Sequence, residues 1–121
     1  MVEDGLTEKI IGVCFEVINE LGAGFLESVY EKALLVALRD KGLNAVSQVP
    51  VSVCFRGKCI GEFFADILVE GKILIELKAA KSLAPEHLAQ VINYLRATGI
   101  RLGLLVNFGA SPKVEIERFV L

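Results

Sequence analysis

Residues 63–79 read FFADILVEGKILIELKA, which is two apolar runs joined by Glu-Gly-Lys. The first run contains one charged residue, Asp66, and the second contains Glu76 and Lys78. Apolar runs of this length, separated by a turn signal, predict two buried β-strands that form a hairpin. Burying a charge is costly unless the charge is paired or bound by an ion. The three charged residues therefore mark the part of the chain where chemistry is expected.

The register of this hairpin decides whether the charges meet. A three-residue loop, 70–72, would place Asp66 and Glu76 directly opposite each other, with Cβ atoms about 4.5–5.5 Å apart. A two-residue loop would instead pair Asp66 with Ile75 and separate the two acids. Side chains alternate along a strand, so Glu76 and Lys78 share one face in either case.

Two opposed carboxylates repel each other, and a divalent cation resolves that conflict. Asp66 and Glu76 supply the hard oxygen ligands that Mg²⁺ prefers. Lys78, one step further along the same face, could orient an attacking water or stabilise negative charge on a phosphate. The alternative is an ion-pair cluster at the margin of a sheet, because the spacing D-x9-E-x-K is loose. The apolar flanks favour the metal site.

The rest of the chain predicts three helices and three more strands. Helices are indicated where apolar residues recur every three or four positions, and glycine or proline marks their ends. The helices are expected over residues 4–20, 26–40 and 85–98. The hairpin strands are expected over 60–69 and 72–79, and the three further strands over 48–55, 101–107 and 114–121, the last near a sheet edge. The order α-α-β-β-β-α-β-β predicts an α/β fold of the α+β type, with a mixed sheet and helices on its faces. We expect a single domain over residues 1–121.

Composition limits the possible settings and partners. The chain is 54% hydrophobic with a mean hydropathy of +0.58, so we expect doubly buried strands and an apolar patch covered by a second copy in a homodimer. No apolar run reaches the roughly 18 residues of a membrane span, and the N-terminus lacks a signal peptide. A cytoplasmic protein with no membrane partner is expected. The net charge of −2 argues against tight DNA binding by the monomer.

The three cysteines, Cys14, Cys54 and Cys59, form no CxxC pair, and one histidine is too few for an ordinary zinc site. Reduced thiols at apolar positions are expected. A tight turn at 56–57 would place Cys54 opposite Cys59. A thiol redox function would rest on that pairing alone, because neither cysteine has a setting that lowers a thiol pKa.

Two helices carry further candidates, each with an ordinary alternative. Gln90 and Tyr94 are four residues apart on a polar stripe that includes His87, and could contact a phosphate or position Lys78; they could equally face solvent or the core edge. Glu27 opens the second helix and could bind metal, or simply favour the helix dipole.

Together these residues resemble the GxxExxY protein family, a branch of the PD-(D/E)XK nuclease superfamily. The resemblance spans residues 5 to 120, and its motifs are Gly24-x-x-Glu27-x-x-Tyr30, Ala65-Asp66, Glu76-Leu77-Lys78, Ala89-Gln90, Asn93-Tyr94-Leu95 and the run 103–109. It implies a restriction-endonuclease-like core in which Asp66 and Glu76 bind Mg²⁺ or Mn²⁺ and Lys78 assists catalysis. It also implies that Glu27 completes the metal site, and that Gln90 and Tyr94 form the Gln-x-x-x-Tyr element of RecB-type nucleases.

The expected function is an enzyme, a Mg²⁺-dependent nuclease that hydrolyses phosphodiester bonds of DNA or, less favoured, RNA. The acidic pI predicts that the monomer binds nucleic acid weakly and that salt abolishes this binding. The alternative is a catalytically silent nuclease-fold module that binds a partner protein or assembles into a homo-oligomer.

Overall fold

The structure, a computed structural model, describes residues 3–110 and 113–121 and contains the predicted order of elements. The helices are α1 (Asp4–Leu21), α2 (Glu27–Asp40) and α3 (Pro85–Thr98). The strands are β1 (Ala45–Phe55), β2 (Lys58–Val69), β3 (Ile73–Lys78), β4 (Leu102–Asn107) and β5 (Glu115–Val120). Two helices, three strands, one helix and two strands follow one another, so the predicted α+β organisation is confirmed. The largest shift is at β1, which begins three residues before the predicted position 48.

The five strands form one mixed sheet in the order β1-β2-β3-β4-β5. β1 with β2, β2 with β3, and β4 with β5 are antiparallel, whereas β3 and β4 are parallel. A parallel pair needs a crossover connection, and α3 supplies it. β5 lies at an edge, as its alternating acids indicate.

Helices cover both faces of the sheet. α1 and α2 pack on one face, around residues such as Leu34 and Ile75, while α3 packs on the other through Val91 and Leu95. Because β3 and β4 lie between these layers, both strands are almost wholly buried, which explains their unbroken apolar sequences. No helix within the described ranges is long and apolar enough to span a membrane.

The hairpin formed by β1 and β2 carries much of the exposed apolar surface. Three large side chains on it are at least half exposed: Phe55, Ile60 and Phe64. Near its turn Cys54 and Cys59 are paired across the strands, as predicted, but they form a disulfide. The expectation of reduced thiols is therefore wrong for this pair, whose sulfur atoms are bonded to each other across the hairpin. Cys14 is a free, buried thiol.

Candidate metal and catalytic site

The turn between β2 and β3 determines the geometry of the site. Ile67 pairs with Ile75 and Val69 with Ile73, which leaves the three-residue loop 70–72. Glu70 and Gly71 both take positive φ values there, 54° and 65°. Extending this register by one position places Asp66 opposite Glu76, so the condition on which the metal-site prediction depends is met.

Beyond Ile75 the backbone ladder gives way to hydrogen bonds that backbone amides donate to the two acids. The amide of Asp66 donates to Oε1 of Glu76 at 3.0 Å, and the amide of Leu77 donates to Oδ2 of Asp66 at 2.8 Å. Each carboxylate thus accepts a hydrogen bond from the backbone of the opposite strand. This arrangement satisfies two buried amides and holds the acids beside each other.

Both strands of the β1–β2 hairpin change face at the level of Asp66. In β2, Ala65 packs in the core under α3, whereas Ile67 packs in the core under α1 and α2. The partner position in β1 is Gln48, whose φ of 52° breaks the regular strand. Because of this irregularity, side chains from α2 and from α3 both reach the vicinity of Asp66.

Helix α2 brings two acids towards the strand residues. Burial raises the pKa of Glu27, Lys78 opposes that rise, and Asp66 adds to it. Burial also raises the pKa of Glu31, whose carboxylate oxygens accept hydrogen bonds from Nε2 of Gln48 at 3.0 and 3.1 Å and interact with Asp66. Glu27 therefore lies within electrostatic reach of Asp66 and Lys78, and Glu31, one helical turn later, joins the group. Its spacing of four residues from Glu27 is the signal that could have identified it.

Glu76 is the buried acid of the group. It is 2% exposed, and burial, followed by the charge of Asp66, raises its pKa to about 8. Lys78, which follows on the same face of β3 and is partly exposed, lowers that pKa. Without a further positive charge, Glu76 is largely protonated at neutral pH, whereas a bound cation would favour its ionised form.

Helix α3 contributes Tyr94 and Gln90 on the opposite side. Tyr94 is buried, and its hydroxyl accepts a hydrogen bond from Nε2 of Gln90 at 3.2 Å. Burial raises the pKa of Tyr94, and the charges of Glu76 and Asp66 raise it further. The predicted polar pair is thus formed and lies within electrostatic reach of the acids. His87 has a different role, since its Nδ1 accepts the Ala84 amide at 3.0 Å and caps α3.

Tyr30 explains the spacing of the motif that begins at Gly24. Its hydroxyl donates to the Gly22 carbonyl at 2.7 Å and accepts from the Phe25 amide at 3.3 Å, and its ring stacks on Phe108. These contacts fix the loop that leads into α2. Tyr30 therefore holds the start of the helix, and with it Glu27, against the end of β4.

Asn107 fixes the segment after β3, a role that its place in the sequence does not indicate. This buried side chain accepts the amide of Ala80 at 3.0 Å and donates to its carbonyl at 2.9 Å. The Phe108 amide also donates to the carbonyl of Lys78 at 2.9 Å. The segment lies so close to Gly109 that a Cβ there would come within 2.4 Å of the Ala80 backbone. Lys78 consequently lies on a firmly anchored strand end.

The acids form a cluster without forming a closed coordination shell. Among residues 3–110 and 113–121, no three acidic, histidine or cysteine side chains converge closely enough to hold a metal ion. The physical reason is visible in Asp66 and Glu76, whose carboxylates are turned towards backbone amides. The available donors nevertheless fit a hard divalent cation, because they are all oxygens and include a buried acid whose raised pKa a positive charge would lower.

Comparisons with known proteins agree with this architecture. Over 78% of its length the chain resembles the crystal structure of SSO0001, with a TM-score of 0.62 and 22% identity, and it spans about half (50%) of that protein. It also resembles an alkaline exonuclease (LHK-Exo) from Laribacter hongkongensis, with a TM-score of 0.51 and 13% identity over 88% of this chain and 75% of the other. At these identities the likeness concerns the fold. A comparison with curated protein sequences gives no match. A family model matches residues 4–119, and the chain belongs to the PD-(D/E)XK nuclease superfamily.

Proposed function

We propose that the protein is a metal-dependent nuclease that hydrolyses phosphodiester bonds in nucleic acid, DNA in the first place. The observation that carries this proposal is the β2–β3 register, which opposes Asp66 to Glu76 and leaves Lys78 on the face of Glu76. Membership of a nuclease superfamily supports it. In this proposal Asp66, Glu76 and Glu27 hold Mg²⁺ or Mn²⁺. When bound, the ion would neutralise charge on the phosphate and make a water molecule more acidic.

Other side chains of the site would bind the phosphate and position the acids. Lys78 donates hydrogen bonds to a phosphate oxygen and stabilises the negative charge that grows on it. Hydrogen bonds from backbone amides hold Asp66 and Glu76 beside each other, and each carboxylate would turn from its amide towards an arriving ion. Gln90 and the Tyr94 hydroxyl offer neutral donors on the α3 side, where a second phosphate oxygen could bind.

We also propose the finer assignment to the GxxExxY branch, with Gln90 and Tyr94 as its RecB-type element. The Tyr30 contacts support this assignment, because they give each position of the spacing Gly24-x-x-Glu27-x-x-Tyr30 a role. Gly24 has a φ of 97°, which favours glycine, and Tyr30 holds the loop that presents Glu27.

The decisive experiment separates metal binding from cleavage. Calorimetric titration with Mn²⁺ should show binding to the wild type and a strong reduction in Glu76→Gln. Lys78→Ala should retain Mn²⁺ binding, because it removes no oxygen ligand, while cleavage of DNA in Mg²⁺ or Mn²⁺ falls by about 100-fold or more. Glu117→Gln, on the exposed face of the edge strand β5, is the control and should leave both measurements unchanged.

Absence of both Mn²⁺ binding and cleavage in the wild type would overturn the proposal. That outcome would favour the second candidate, a catalytically silent nuclease-fold module that binds a partner protein or a second copy. The observation that favours this candidate is the exposed apolar surface of the β1–β2 hairpin, including Ile60 at 68% exposure. An oligomer without metal affinity would support it.

A further inference from the structure

A groove of about 930 Å³ runs between the β1–β2 hairpin and helix α3. The hairpin contributes Phe63 to its lining, and α3 contributes Gln90, Asn93 and Tyr94. Its volume lies near the upper end of the range for sites that bind small organic ligands. The groove is therefore large enough for a short segment of an extended polymer.

The groove leads to the acidic site. Gln90 and Tyr94 line the groove, and Tyr94 packs in one buried cluster with Ala65, the residue that precedes Asp66 in β2. A polymer lying in the groove would thus pass directly beside the proposed metal ligands. The groove is therefore placed to bind part of the substrate of that site.

Phe63 is the distinctive residue of the groove. It remains 47% exposed although its ring centroid lies 6.0 Å from that of Tyr94. The ring lies across Gly61, where an added Cβ would come within 3.1 Å of Cε2 of Phe63. A glycine beneath the ring allows it to lie along the strand. An exposed aromatic ring in a groove with neutral amides is the arrangement on which a nucleobase can stack.

The charges of the groove indicate which form of nucleic acid fits. Its lining includes one acid, Glu86, and one base, Arg96. A duplex is bound largely through many phosphate contacts to lysine and arginine, and one arginine offset by one glutamate provides few of them. Unpaired bases, in contrast, can bind through stacking and amide hydrogen bonds.

We propose that this groove binds single-stranded nucleic acid next to the scissile phosphodiester, with one base stacked on Phe63. The inference rests on the proposed nuclease function, because it identifies the groove as the path of that enzyme's substrate. It assigns Phe63 as a specificity-determining residue that favours single strands over duplexes. Unpaired DNA and unpaired RNA both present planar bases and phosphates of the kind that the groove would contact.

The test is binding without catalysis. Fluorescence anisotropy with labelled oligothymidylate, oligouridylate and a DNA duplex, all in EDTA, measures affinity in the absence of metal. Single strands should bind more tightly than the duplex, and Phe63→Ala should weaken their binding by about fivefold or more, the loss of one stacked base. The stronger of the two single-stranded ligands identifies DNA or RNA as the source of the bound strand.

Phe64 provides a matched control. It is the next residue in β2, 50% exposed, and points to the opposite face of the strand. Phe64→Ala removes the same side chain and should change the affinity for single strands less than twofold. Phe63→Trp keeps a stacking surface and should retain binding, which separates loss of stacking from loss of folding.

Salt dependence gives an independent measure. Contacts from Arg96 and Lys78 alone predict that the logarithm of the association constant falls against that of salt concentration with a slope of about −1 to −2. Equal effects of Phe63→Ala and Phe64→Ala, or a duplex that binds as tightly as single strands, would overturn the inference. Cleavage is measured separately. A protein that binds single strands in the groove but does not cleave them contradicts the nuclease proposal alone. If Phe63→Ala changes neither cleavage nor binding, the groove proposal alone is contradicted.

Discussion

At the scale of single residues, Glu76 shows how strongly the fold acts on one carboxyl group. It is buried beside Asp66, and its pKa is raised from an ordinary 4.5 to about 8. Between these two pH values the folded protein therefore keeps a proton on Glu76 that the unfolded chain has already released. Because the folded state binds more protons in this interval, the free energy of unfolding must fall as pH rises through it.

We expect the metal-free protein to lose a few kcal/mol of stability between pH 5 and pH 9 through this one group. Glu76→Gln keeps an oxygen that can accept the Asp66 amide but has no proton to lose, so its stability should change less with pH. Urea unfolding in EDTA across this pH range measures the difference. Addition of Mn²⁺ should stabilise the wild type most at high pH, where Glu76 is ionised. Parallel pH profiles for the wild type and Glu76→Gln would contradict the assignment.

At the scale of elements, α3 is held at a fixed distance from the sheet by a glycine. A Cβ on Gly103 in β4 would come within 2.8 Å of Cγ1 of Val91 and 3.1 Å of Leu95. The helix carries Gln90 and Tyr94, so its distance from β4 also sets the distance of these two residues from the acids. The close packing of one strand on one helix thus contributes to the geometry of the site.

Gly103→Ala should destabilise the protein by about 1–3 kcal/mol, because the added methyl group overpacks the interface between α3 and β4. Gly12→Ala is the matched control: it lies on α1 with nothing within 4 Å of an added Cβ, and should stabilise the protein by about 0.5–1 kcal/mol. Urea unfolding of both variants gives the comparison. A Gly103→Ala variant as stable as the wild type would show that the helix can move without cost.

The elements were predictable because their signals are local. The periodicity of α1, the glycine after α3 and the unbroken apolar run of β4 each identify an element without knowledge of its neighbours. The opposition of Asp66 and Glu76 was also accessible, since it depends on the length of one loop. The break at Gln48 could not be predicted, because no residue near it in the sequence indicates a positive φ within a strand.

The features that were missed depend on contacts between distant parts of the chain. Asn107 is one polar residue at the end of a strand, and its hydrogen bonds to Ala80 cross 27 positions of sequence. Glu31 becomes part of the site only through Gln48 and Asp66. The turn predicted the pairing of Cys54 with Cys59, but pairing alone does not determine the oxidation state of two thiols.

At the scale of the whole molecule, both the composition and the structure show more apolar side chains than the core buries. The chain is 54% hydrophobic, and doubly buried strands account for only part of this surplus. Large apolar side chains remain exposed on α1, at the start of α2 and on the β1–β2 hairpin: Phe15, Phe25, Leu26, Phe55, Ile60, Phe63 and Phe64. Soluble proteins usually cover an apolar surface of this kind.

We therefore expect a homodimer in solution, formed by burial of part of this surface. Sedimentation velocity over a range of protein concentrations measures the oligomeric state, and a mass that stays at that of one chain throughout would contradict the expectation. The same experiment with added single-stranded DNA shows whether the groove lined by Phe63 stays accessible in the assembled protein.

The hydrogen bonds that Asp66 and Glu76 accept from the main chain have a consequence for dynamics. A carboxylate that rotates towards an incoming ion must release the amide to which it is hydrogen-bonded. Binding of an ion should therefore speed deuterium exchange at the backbone amides of Asp66 and Leu77. Strands β2 and β3 would then separate slightly at this end. The oxygen atoms that accept these two amide hydrogen bonds are therefore the same ones that an ion would bind.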